Sequence, residues 1–222
     1  MTIATERILE DKSEAPADAT TWQMASWEAF LSLCQHPANQ KAKAYYFRGV
    51  QKFTMGVGAM HGDINAVIFL VLSFYCTIRG ISHRAFVNTS YRKEGLRECQ
   101  PDLSYYFSVS ADRLPTGSGI VNLGQYAPPN LVIEIADSSL SDDVGIKRLL
   151  YEEMQVQEYW VVDAQKLELI AFAIDENLGS HRIRESIALP GLSLDAIAEA
   201  LQKSRELDNA QLGQWWMEKI KI

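Results

Sequence analysis

Asn130-Leu131-Val132-Ile133-Glu134-Ile135-Ala136 is an apolar run of strand length that holds one carboxylate. Such a run reads as a buried strand. An ionised acid inside it is costly unless it is paired or bound to a cation. Working outward, Gln100-Pro101-Asp102 opens a second extended run, Leu103-Ser104-Tyr105-Tyr106-Phe107. Downstream, Glu158-Tyr159-Trp160-Val161-Val162-Asp163 and Leu167-Glu168-Leu169-Ile170-Ala171-Phe172-Ala173 form a strand pair turning at Ala164-Gln165-Lys166. Between the Glu134 strand and this pair, Ser138, Ser139 or Ser141 can cap a helix whose first turn carries Asp142 and Asp143. Within it Asp143, Lys147 and Tyr151 recur at four-residue spacing and share one face. Residues 100–163 thus bring Asp102, Glu134 and Lys147 into settings from which they can meet in one site.

Upstream, Trp27, Phe30, Leu31 and Cys34 lie along one side of a helix that Thr20 or Thr21 can cap and His36-Pro37 ends. Residues 44–53 predict a β-hairpin pivoting near Gly49. A helix begins around His61-Gly62-Asp63 and stops at Gly80, with Ile64, Val67, Ile68, Val71 and Tyr75 on one face. Residues 111–129 form a long loop rich in glycine and proline. Strands around 182–186 and 189–194 precede helical sequence that runs to the C-terminus. The organisation expected is an acidic, flexible lead-in over residues 1–19, one domain over 20–200 and a helical extension over 201–222.

Composition bounds the classes of function. The 222 residues are 47% hydrophobic and 22% charged, enough for one sizeable core. The net charge of −7 argues against loose, charge-driven binding to nucleic acid. It leaves room for a nuclease, whose acids attract a cation that offsets local repulsion. Cys34, Cys76 and Cys99 are an odd number without CxxC pairing, which points to the reducing cytoplasm rather than to disulfides or a cysteine zinc site. The apolar stretch 64–78 is interrupted by Asn65, Ser73 and Thr77 and is shorter than the roughly 20 residues of a bilayer span, so no membrane association is expected. Trp215-Trp216 on the terminal helix can dock on its own domain or meet a second copy in a homodimer.

Two carboxylates on neighbouring strands, with a backbone carbonyl, supply part of the oxygen shell of a hard divalent cation such as magnesium. A lysine beside them steadies negative charge developing on a phosphodiester. The residue types alone leave other readings open: Glu134 in a buried structural salt bridge with an arginine, Asp102 as a strand-edge residue, Lys147 in an exposed pair with Asp143, and His61 as a cap.

The order of these motifs resembles the PD-(D/E)xK restriction-endonuclease-like superfamily, and within it the Uma-two family. Met60-His61, Pro101-Asp102, Glu134-Ile135-Ala136-Asp137-Ser138, the Asp143-to-Lys147 step, Tyr151, residues 156–163 and Leu189-Pro190-Gly191-Leu192 carry the resemblance over roughly residues 20–200. It implies an α/β fold with a central mixed β-sheet flanked by α-helices. It also implies a Mg²⁺ or Mn²⁺ site held by Asp102, Glu134 and the Ile135 carbonyl, with Lys147 as catalyst on DNA and with His61, Asp63 and Tyr151 as accessory residues. The lysine usually found two residues after the second acid is replaced by Ala136, and the family's helix lysine matches Lys147. Many relatives carry an acid just before the glycine of Tyr45-Tyr46-Phe47-Arg48-Gly49, and this chain has none there. That departure leaves open a protein that keeps the fold without catalysis and binds a partner.

Overall fold

The structure is a computed structural model that describes residues 21–221. The lead-in expected over residues 1–19 lies outside the described residues. In chain order the elements are β1 (Gln23–Met24), α1 (Trp27–Gln35), β2 (Lys43–Phe47), β3 (Val50–Thr54), α2 (Ala59–Arg79), β4 (His83–Val87), β5 (Tyr91–Lys93), β6 (Arg97–Cys99), β7 (Leu103–Phe107), β8 (Val121–Asn122), β9 (Leu131–Ala136), α3 (Leu140–Asp142), α4 (Arg148–Met154), β10 (Glu158–Asp163), β11 (Glu168–Ile174), β12 (Ser180–Arg182), α5 (Leu194–Lys203) and α6 (Asn209–Lys219).

The decisive stretch forms β9, at the centre of a mixed sheet ordered β12-β11-β10-β9-β7-β4. β9 runs parallel to β10, with the α3–α4 segment as crossover, and antiparallel to β7. Alternate residues of β9 leave opposite faces. Leu131, Ile133 and Ile135 join the core beneath α2, α5 and α6, with Leu103 and Tyr105 of β7 and Trp160 and Val162 of β10. Val132 and Ala136 join a second core with Tyr45, Tyr106, Tyr151 and Tyr159. Glu134 has the parity of this second set and projects the same way.

The second core is closed by α4 and by another six-stranded sheet, β1-β3-β2-β6-β5-β8, which the sequence did not set apart as a separate layer. Its β2–β3 hairpin turns at Arg48 and Gly49, whose φ values of 48° and 80° give a turn with two left-handed residues. α1 is capped by Ser26, whose hydroxyl accepts from the Ala29 N–H at 3.2 Å. This corrects a start at Thr20 or Thr21, because β1 pairs with β3 and takes up the residues just before Ser26.

α2 carries the expected apolar face, buries Ile64, Val67, Ile68, Val71, Leu72 and Tyr75, and ends at Gly80 with φ 67°. By length and composition this helix could cross a membrane, yet this face lies in the domain core. α6 docks on the same core: Trp216 is fully buried and its Nε1 donates to the Val71 carbonyl at 2.7 Å. The expected strands around 182–194 reduce to β12 and one bridge, Glu185 to Ser193. Backbone N–H groups there bond to the Glu158 carboxylate instead of a strand ladder.

Candidate active site

β7 and β9 are in register at Leu103 and Ile133, which sets Asp102, one residue before β7, opposite Glu134. Asp102 is almost fully buried. Its Oδ2 accepts the Ile135 N–H at 2.8 Å. Its Oδ1 accepts from His61 Nε2 at 2.8 Å and from the Lys43 ammonium. Burial alone would push this carboxyl up, but the His61 hydrogen bond and the Lys43 charge hold it well below the usual carboxylate range. Within a strand the N–H and C=O of one residue leave from the same edge. The Ile135 carbonyl therefore faces the Asp102 side, beyond the point where β7 has begun.

Glu134 is enclosed. Tyr151 donates to its Oε1 at 2.7 Å, Lys147 Nζ lies 3.4 Å from the same oxygen, and the Tyr45 hydroxyl lies 3.2 Å from it while donating to the Gln100 carbonyl at 2.8 Å. Burial pushes the Glu134 carboxyl up to about 7, against the pull of Lys147. Lys147 also contacts Asp143 Oδ1 at 2.7 Å and stands over the Tyr45 ring at 4.3 Å. Burial would drive the proton off this ammonium, but Glu134 and Asp143 outweigh it and hold Lys147 above the ordinary lysine range.

Local backbone geometry delivers this lysine. α3 is one turn long, residues Asp143–Lys147 form a wide π turn broken at Gly145, and α4 resumes at Arg148. Ser139, at the head of the segment, donates its hydroxyl to Asp143 Oδ2 at 2.5 Å rather than capping a backbone N–H. The Asp143–Lys147 pair, an ordinary exposed feature by spacing, is thereby buried: Asp143 is 0% exposed and Lys147 5%.

A cleft of about 490 Å³ opens here, lined by Asp102, Glu134, Ile135, Lys147 and His61 together with Lys43, Tyr45 and Lys52. Five residues singled out in the sequence thus meet at one surface. Tyr151 stands behind Glu134, fully buried. Asp63 is exposed on α2 and is not part of the lining. Lys43, Tyr45 and Lys52 were not foreseen as site residues. Tyr45 belongs to an aromatic strand that reads as core, and a lone lysine in a hairpin strand carries no signal of its own.

The donors of Asp102, Glu134 and the Ile135 carbonyl are all oxygen, which would suit a hard divalent ion. Both carboxylates already hold ammonium groups against them, so positive charge is what this surface is built to receive. The residues fit such an ion. Among the described residues no group of three or more His, Cys, Asp and Glu gathers as a metal cluster.

A family model for Uma2 (Uma-two), described as "Putative restriction endonuclease", matches residues 27–199. The chain belongs to the Uma2 family. The Uma2 match runs from α1 into α5 and includes every cleft residue named above, whereas α6 lies beyond it. A solved structure described as "a putative nuclease belonging to DUF820 from Anabaena variabilis ATCC 29413" has the same fold, with a TM-score of 0.51 and 19% identity over 86% of this chain and 98% of that one. No curated protein matches. The Uma2 assignment accounts for the expected α/β architecture of a mixed sheet flanked by helices.

Proposed function

We propose that this Uma2 protein is a Mg²⁺- or Mn²⁺-dependent endonuclease that hydrolyses DNA phosphodiester bonds in the cytoplasm. The observation that carries the reading is the convergence of Asp102, Glu134 and Lys147, from two adjacent strands and a broken helix, on one cleft. Asp102, Glu134 and the Ile135 carbonyl would hold the ion. When bound, such an ion polarises the phosphodiester and lowers the pKa of water.

The chain's own groups do the rest. The Ile135 N–H fixes the rotamer of Asp102 by holding Oδ2. Tyr151 orients Glu134 from behind. Lys147 stays protonated between Glu134 and Asp143 and presents its charge at the cleft, where it stabilises negative charge on the departing or attacking oxygen. Lys43 and Lys52 also line this cleft, in ion pairs with Asp102 and Asp142. Released from those acids, the two lysines can meet the phosphates of a polyanion.

Cleavage of plasmid DNA with Mn²⁺ or Mg²⁺ tests the reading. Wild type is expected to cut, and Glu134→Ala and Lys147→Ala to lose at least about a hundredfold in rate. Equal activity in all three proteins would sink it. A second reading rests on one specific observation: the Lys43 and Lys147 ammonium groups already stand against Asp102 and Glu134, where a bound cation would sit. Under it the protein is a nuclease-fold binding module, and metal would leave the DNA uncut by every variant.

A further inference from the structure

We infer that Lys43 is a tethered counter-ion that competes with the divalent metal for Asp102 and must leave that carboxylate before the ion binds. This rests on the metal-dependent reading above and deepens it. Asp102 offers two oxygens. Oδ2 is tied to the Ile135 N–H at 2.8 Å inside the strand pair. Oδ1 is the remaining oxygen, and it already holds the His61 imidazole at 2.8 Å and the Lys43 ammonium. An ion reaching Asp102 therefore meets one of these two groups.

They differ in freedom. His61 sits in the first turn of α2, 7% exposed, with its helix packed on the central sheet. Lys43 is the first residue of β2, and its side chain retains 16% of its exposure at the mouth of the same cleft. An ammonium on a four-carbon stem is a point charge with many rotamers and can swing off one oxygen without moving the backbone. Lys43 is thus the group that yields, and its ammonium then remains beside the cleft to meet a phosphate. Because lysine and metal exclude each other at Oδ1, the apparent metal affinity falls by the fraction of molecules in which Lys43 holds Asp102. The linkage is reciprocal, so metal binding frees Lys43.

Calorimetric titration of the full chain with Mn²⁺ reads this directly. Lys43→Met is expected to bind Mn²⁺ about fivefold more tightly than wild type or better. Lys43→Arg, which keeps the charge on Asp102, is expected to bind no more tightly than wild type. Equal or weaker binding by Lys43→Met would overturn the inference while leaving the metal reading intact, and no Mn²⁺ heat in wild type or Lys43→Met would sink both. A second measurement needs no variant: acetylation of lysines by succinimidyl acetate, followed by peptide mass spectrometry. Saturating Mn²⁺ is expected to speed labelling of Lys43 severalfold and leave Lys219, on α6, unchanged. Unchanged Lys43 labelling with Mn²⁺ bound would also overturn the inference, and this arm decides the matter should Lys43→Met fail to fold.

Discussion

Glu134 has its carboxyl between the Tyr151 hydroxyl and the Lys147 ammonium, with Asp102 across the strand pair and Asp143 close by. Burial, more than either acid, raises its pKa from 4.5 to about 7. A carboxyl whose folded pKa is raised stabilises the fold fully below its unfolded value, and that contribution is lost as pH rises through the folded one. The window is therefore between 4.5 and about 7. Glu134→Gln keeps the shape and removes the titration. From pH 4.5 to pH 8 wild type should therefore lose stability that the variant keeps, on top of a constant offset from the lost Lys147 partner. Near pH 4.5 that relative gain of the variant should be absent. Thermal melts at the two pH values check this, and a difference that did not change with pH would contradict it.

At the scale of elements, β10 begins with a different use of a buried acid. Glu158 Oε1 accepts from Trp160 Nε1 at 2.5 Å, and Oε2 accepts from the Ser186 hydroxyl at 2.9 Å and from the N–H groups of Ile187 and Ala188 at 3.0 and 2.8 Å. One side chain thus anchors the irregular segment between β12 and α5 to the central sheet. Glu158→Gln replaces one acceptor oxygen with an NH₂ that must face a donor in either orientation. It should lower stability by about 2–3 kcal/mol, measured by urea unfolding, and an unchanged midpoint would refute the anchoring role. The same segment marks where the sequence was opaque. β7, β9 and β10 were legible because apolar runs of strand length carry their own signal, and Asp102 and Glu134 stood out as acids placed in or beside them. Residues 182–194 were read as two strands because the partner of their backbone N–H groups lies some thirty residues away in Glu158. Lys43 was invisible for a related reason, since what distinguishes it is contact with Asp102, 59 residues downstream. The break at Gly145 was equally unreadable: four-residue spacing placed Asp143, Lys147 and Tyr151 on one face, but it did not show that a π turn would bury the first two.

Across the whole molecule, α2 links the cleft to the C-terminal helix. His61 in its first turn bonds to Asp102, and two turns and more along it the Val71 carbonyl accepts the Trp216 indole N–H at 2.7 Å. α6 lies beyond the family match, yet Leu212 and Trp216 are fully buried in the core beneath the central sheet. The neighbouring Trp215 differs: it is partly buried, with the ammonium groups of Lys203 and Lys219 over its ring at 5.2 and 5.6 Å. The two tryptophans should therefore separate cleanly. Trp216→Ala leaves a cavity and removes the indole hydrogen bond to α2, and should lower stability by about 3–5 kcal/mol. Trp215→Ala removes a half-buried ring and two partly exposed cation–π contacts, and should lower it by about 1–2 kcal/mol. Urea unfolding of both variants checks the ranking. Equal losses, or a larger one for Trp215→Ala, would mean that α6 is held by its outer face rather than by the core. Because α2 is the common support, Trp216→Ala should also weaken Mn²⁺ binding under native conditions, while Trp215→Ala leaves it unchanged.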